Sequence, residues 1–147
     1  LPGLIMIKDV IITHLDVIDA PNGSVLHVMK ESSAGYSGFG EAYFSQVGKG
    51  IVKAWKRHKE MTLNLVVPVG MIKFVLFDDR ERANIQLQEV IISRDNYCRL
   101  TVPPMIWVGF QGLSENGSML LNLANLEHNP DEINKRSIDQ IKFNWSN

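Results

Sequence analysis

A succession of short apolar runs, punctuated by Gly, Asn and Asp, limits what this chain can fold into. The runs read IKDVIIT, SVLHVMK, EAYFSQ, GIVKAWKRH, LNLVVPV, MIKFVLFDD, LQEVIIS, CRLTV, MIWVGFQG and SMLLNLANL. Each has the length of a strand and falls short of an ordinary helix. Between them lie PNG at 21 to 23, GYSGFG at 35 to 40, DDRERAN at 78 to 84, SRDN at 93 to 96 and SENGS at 114 to 118. Gly and Asn supply the positive φ that tight hairpin turns require. Short strands at this spacing make an all-β sandwich or barrel. Only NPDEINKRSIDQ, Asn129 to Gln140, departs from the pattern: Pro130 near a helix start and acidic residues in the first turn predict a short C-terminal helix.

A chain of 147 residues fits one domain with a proper core, expected over residues 6–147. Leu1 to Ile5, ahead of Met6, read as a remnant outside that domain. The formal net charge of -1 gives no basic excess of the kind that binds phosphate backbones, so nucleic acid is not an expected partner. Cys98 is the only cysteine, which excludes an intrachain disulfide and a cysteine-based metal site and fits a cytoplasmic protein. No apolar stretch reaches the length of a membrane span, and none resembles an export signal.

The segment GIVKAWKRH, Gly50 to His58, raises the functional question. Strict alternation places Lys56 and His58 on one face, with Val52 and Ala54, and Lys53 and Arg57 on the other. An unpaired buried charge costs several kcal/mol, so this strand either meets water on both sides or lines a polar pocket. Pattern alone leaves both open. Two further strands carry polar residues of interest. Tyr43 follows Glu41 in phase, so both can face one pocket, and Asn122 sits in the apolar run SMLLNLANL, where a buried amide needs partners. Trp55 and Trp107 read as core or interface. The charges of Asp78, Asp79 and Arg80 read as a solvated turn, and His14, His27 and His128 have no spacing that suggests a metal site.

The spacing resembles the first cupin motif, in which a glycine precedes His-x-His by five residues. Gly50 stands at that glycine, Lys56-Arg57-His58 at the His-x-His, and Gly70 closes the segment, while VPPMIWVGF at 102 to 110 resembles the second motif. Lys56 replaces the first histidine, and Val108 falls where a later one would lie. A protonated lysine has no lone pair for a metal, and one remaining imidazole cannot hold a divalent ion, so no metal and no cofactor are implied.

The order FGEAYFS, GIVKAWKRH, VPVGMIKFVLFDDRE and VPPMIWVGF is more closely similar to the nucleotide-sugar branch of that superfamily, the dTDP-4-dehydrorhamnose 3,5-epimerases and related dTDP-sugar isomerases. The resemblance implies a cupin-type jelly-roll β-barrel, a homodimer, and a pocket for a nucleoside diphosphate 4-keto-sugar. In that family a histidine, supported by an aspartate, removes a proton beside the C4 ketone, and a tyrosine acts as acid from the other side. Aligned on Gly50 the histidine position holds Lys56, and aligned on Pro130 the tyrosine position holds Asn122. Lys53 keeps the family's basic charge beside the diphosphate. The expected assignment is therefore His58, Lys56 and Tyr43 for chemistry, with Lys53, Glu41 and Asn122 binding substrate. Two activities follow. One is an epimerase or ketoisomerase acting through an enolate on a dTDP-linked 4-keto-6-deoxy sugar in cell-surface polysaccharide biosynthesis; the other is a non-catalytic cupin that binds a sugar nucleotide or serves as an interaction module.

Overall fold

A computed structural model describes residues 5–146, so Asn147 and most of the expected N-terminal remnant lie outside the described residues. Twelve strands follow one another: β1 (Ile11–His14), β2 (Val17–Ile18), β3 (Val25–Leu26), β4 (Glu41–Val47), β5 (Val52–His58), β6 (Leu63–Val69), β7 (Ile72–Asp78), β8 (Gln86–Ile92), β9 (Cys98–Val102), β10 (Trp107–Gly112), β11 (Ser118–Ala124) and β12 (Ile133–Lys135). One five-stranded antiparallel sheet runs β1-β9-β6-β11-β4 and a second runs β12-β5-β10-β7-β8, with β2 and β3 forming a small hairpin of their own. The two sheets face each other as a jelly-roll barrel, the expected fold class. The N-terminal segment pairs within its own chain: β1 lies against β9 with Ile11 opposite Thr101.

The C-terminal segment corrects one expectation. Asn129 to Gln140 does not form a helix but two single 3-10 turns, Pro130–Glu132 and Ile138–Gln140, with β12 between them. The start signals are used as read, since Asn129 accepts a hydrogen bond from the Asp131 N–H and Pro130 opens the turn. They serve one turn only, because the next residues gain more from pairing with β5, where Ile133 stands opposite His58 and Lys135 opposite Lys56.

Alternation fills the space between the sheets. Leu63, Leu65 and Val67 of β6 meet Ile72, Phe74 and Leu76 of β7, joined by Leu100, Val102, Val90, Ile92 and Leu120. The outer face of the second sheet is also dry, since Ile141, Phe143 and Trp145 cross it and pack on Trp55, Val75 and Trp107. The Trp55 indole donates to the Ile138 carbonyl at 3.2 Å, which fastens this strap. On the outer face of the first sheet, the fully buried Arg99 holds the loop ahead of β4 by donating to the Val28 and Ala34 carbonyls, both at 2.6 Å. Asp78, read as solvated, is buried and paired with Arg80, whose Nε lies 2.9 Å from it.

Strict alternation fails in β5. Between Lys53 and Lys56 the strand spends one residue more than β10 does opposite, with Lys53 paired to Phe110 and Lys56 to Val108. Ala54 and Trp55 both turn to the outer cluster, at a cis peptide bond, which is the pattern of a β-bulge. Lys53 is therefore returned to the inner face beside Lys56 and His58, a correction to the expectation that it faced away with Arg57. Gly109 makes room for the bulge: a Cβ there would stand 2.9 Å from the Ala54 methyl and 3.0 Å from the Trp145 ring. Gly109→Ala is expected to lower the unfolding free energy by about 1–3 kcal/mol, measured by urea denaturation.

Candidate functional site

Half of the barrel is solid and half is hollow. Around β1, β9 and β8 apolar side chains fill the interior, but between β4, β11 and β6 on one side and β12, β5, β10 and β7 on the other lies a cavity of about 370 Å³. Its floor is apolar, formed by Leu63, Leu65, Phe74, Val108, Phe110 and Leu120, and its polar groups are Tyr43, Ser45, Asn122, His58, Lys53, Lys56, Lys135 and Arg136. A few convergent polar groups over an apolar base is the usual form of a small-molecule site.

His58, at the end of β5, is 8 % exposed, and its Nδ1 is hydrogen-bonded to Oε1 of Glu132, which is 4 % exposed. The other carboxylate oxygen accepts the backbone N–H groups of Glu60 at 3.0 Å and Met61 at 3.3 Å. Burial raises the Glu132 pKa, but the hydrogen bond with His58 and those from Glu60 and Met61 outweigh it and hold the carboxyl below the usual carboxylate range. Glu132 is thus an anion and an acceptor at neutral pH. With Nδ1–H committed to it, the neutral imidazole carries its lone pair on Nε2, and the ring is fixed in one orientation at the cavity wall. A proton acceptor braced by a buried carboxylate is what this pair supplies.

Positive charge gathers at the mouth. Lys56, Lys53 and Lys135 stand together, and burial, then Lys135, then Lys53 lower the Lys56 pKa from the ordinary lysine value. Lys53 also donates to the Gln46 carbonyl at 3.1 Å. Arg136 follows Lys135 in the lining, but its guanidinium lies on the outer face, over the Trp107 ring at 4.4 Å and 3.7 Å from Asp79. Clustered cations that repel one another in the free protein are relieved by an anionic ligand.

The opposite wall carries the residues read from β4 and β11. Tyr43 and Asn122 are paired across the strands, and the Asn122 amide Nδ2 donates to the Tyr43 hydroxyl at 3.1 Å. The structure thus brings His58, Lys56, Lys53, Tyr43 and Asn122 to one cavity, but not Glu41, whose carboxylate is hydrogen-bonded to the backbone N–H of His128 and which is absent from the cavity lining. Glu41 and Tyr43 are in phase, but Glu41 lies at the strand's start, beyond the cavity's rim. Glu132, Lys135 and Arg136 were missed. Their segment carries helix signals, and a carboxylate 74 residues from its histidine leaves no spacing to read. The one available hint was that a strand histidine beside a pocket needs an acceptor for its second nitrogen. Among the described residues, no three His, Cys, Asp or Glu side chains converge as a metal site would require.

A jelly-roll barrel with a half-hollow interior, a braced histidine and a cationic mouth defines a cupin-type domain. The chain belongs to the WxcM-like, C-terminal (FdtA) family, whose model matches residues 8–142. It is 31% identical over 120 residues to the probable low-salt glycan biosynthesis epimerase Agl13 of Haloferax volcanii, covering 79% of this chain and 77% of that protein. The crystal structure of a dTDP sugar isomerase from Desulfovibrio desulfuricans superposes with a TM-score of 0.89 at 36% identity, over 95% of this chain and 92% of that one. QdtA, a sugar 3,4-ketoisomerase from Thermoanaerobacterium thermosaccharolyticum solved with TDP, shares the fold at a TM-score of 0.74 and 18% identity, over 89% of this chain and 90% of that one.

The depressed Glu132 pKa sets a pH dependence. A carboxyl lowered in the folded state contributes stability that is fully present above its unfolded value and is lost as pH falls through the folded one. The stability advantage of wild type over Glu132→Gln is therefore expected to be greatest near neutrality and to shrink below the usual carboxylate range, read from urea midpoints between about pH 7 and 3.

Proposed function

We propose that this protein is an epimerase or ketoisomerase of a dTDP-linked 4-keto-6-deoxy sugar, acting through an enolate in cell-surface polysaccharide biosynthesis in the cytoplasm. The observation that carries the reading is the His58–Glu132 pair in one wall of a cavity whose opposite wall presents Tyr43. The similarity to the Desulfovibrio desulfuricans dTDP sugar isomerase supports the substrate class, and that to Agl13 supports epimerase chemistry in glycan biosynthesis.

The chemistry follows from the residues. His58 Nε2 takes the proton from the carbon beside the C4 ketone, the C–H electron pair becomes the C=C bond, and the carbonyl π pair moves onto oxygen. Glu132 stabilises the imidazolium that results. Lys56 and the Tyr43 hydroxyl stabilise the oxyanion, each an electrostatic contribution that grows as charge develops. Return of a proton to the same carbon from the other face inverts it; return to C4, with the neighbouring hydroxyl proton passing to the C4 oxygen as the neighbouring C=O forms, shifts the ketone. Lys53 and Lys135 hold the diphosphate. Wild type is expected to place solvent deuterium in the sugar of dTDP-4-keto-6-deoxyglucose, and His58→Ala to slow this at least about a hundredfold, the low end for removing a general base. Mass spectrometry and proton NMR read both. Binding of the nucleotide sugar without any exchange in wild type would instead establish the non-catalytic binding module.

The protein acts as a homodimer in this reading. β4 is an edge strand, and its outward Phe44 is 61% exposed beside Leu121 of β11, an apolar edge that a second copy would cover. Sedimentation is expected to give a dimer at micromolar concentration; a monomer refutes it.

A further inference from the structure

We infer that Asn122 is a positioning residue that fixes the direction of the hydrogen bond at Tyr43, so that the Tyr43 proton is reserved for the ligand's carbonyl oxygen. The inference rests on the enolisation reading above and assigns how its acid is set. Asn122 sits on the inner face of β11 among Leu63, Leu65 and Leu120, an amide in an otherwise apolar wall. It is 2 % exposed, and its Oδ1 is buried with no hydrogen-bond partner among the described residues. A sealed oxygen cannot take a sugar hydroxyl, so the direct substrate contact expected for Asn122 is replaced by an indirect one.

Hydrogen-bond accounting gives the rest. An amide nitrogen only donates, and a phenol has one proton and accepts through its oxygen. Because Nδ2 donates to the Tyr43 oxygen, the Tyr43 O–H is not spent on Asn122 and remains free at the cavity, where Tyr43 is partly exposed. Turning the amide over would pair Oδ1 with that O–H, consume the proton and leave a buried NH2 instead. An unpaired buried amide oxygen is unfavourable, and its presence here accompanies a tyrosine oriented as a donor.

Asn122→Asp, assayed at about pH 9 because burial raises an aspartate's pKa, tests this: the ionised group keeps the shape but only accepts, and so captures the Tyr43 proton. Deuterium exchange into dTDP-4-keto-6-deoxyglucose is expected to fall about a hundredfold, to the rate of Tyr43→Phe, with the double variant no slower than Tyr43→Phe alone. Exchange within a few-fold of wild type in Asn122→Asp, or a double variant well below Tyr43→Phe, overturns the inference. The second measurement needs no substrate and no folded Asn122 variant: in a nitrogen-15 spectrum, one side-chain amide proton of Asn122 is expected to shift in Tyr43→Phe. A shift without any turnover in wild type leaves the donor direction intact and removes the enolisation reading. An unmoved amide proton removes the inference itself.

Discussion

The buried hydrogen bond between His58 and Glu132 organises this molecule. One carboxylate joins the end of β5 to the turn before β6 through His58 and the N–H groups of Glu60 and Met61, while the backbone carbonyl of the same residue accepts from Lys59 at 2.8 Å. A buried carboxylate is tolerated only when such partners replace water. Here they also fix the first residue of β12 opposite His58, and so the place of Lys135 and Arg136 at the cavity. A single ionised group thus sets both the orientation of the imidazole and the path of the segment that lines the mouth.

The hollow half of the barrel exists because the sheets are stabilised elsewhere. The solid half between β9, β7 and β8 buries the apolar core, the aromatic strap covers the second sheet from outside, and Arg99 ties the loop ahead of β4 to the first. With three faces fixed in this way, the wall around β5 can carry Lys53, Lys56 and His58 inward, a charge density that an ordinary core strand would not survive. The bulge at Ala54 and Trp55 serves the same division, sending two successive side chains to the strap and three basic ones to the cavity.

Most of the barrel is legible in the sequence because strands of this length leave a local trace, alternation bounded by Gly and Asn, and each apolar run from EAYFSQ to SMLLNLANL became a strand. The site is legible only in part. His58 and Lys56 follow from period-two alternation, but Lys53 does not, because a bulge inserts a residue that no pattern in KAWKRH announces. The segment from Asn129 fails for a related reason: its helix signals are real and are used for one turn, and then pairing with β5 outweighs them. Glu132 and Lys135 are invisible for the same cause, since their roles come from register with a distant strand. Asn122 was correctly read as an amide in need of partners, but among the described residues one of its two polar atoms has none, which a sequence cannot show.

The strap and the turn that supplies Glu132 come after the last strand of the first sheet in chain order, and this dictates when the site is born. During synthesis from the N-terminus the strands of both walls up to Ala124 leave the ribosome first. Without the residues that follow, His58 lacks its carboxylate, the mouth lacks Lys135, and Trp55 and Trp107 lie uncovered. Residues 130–145 therefore do two things at once: they bring Glu132 to His58 and they cover the Trp55 and Trp107 face. One segment completes the site and conceals the protein's outer aromatic face.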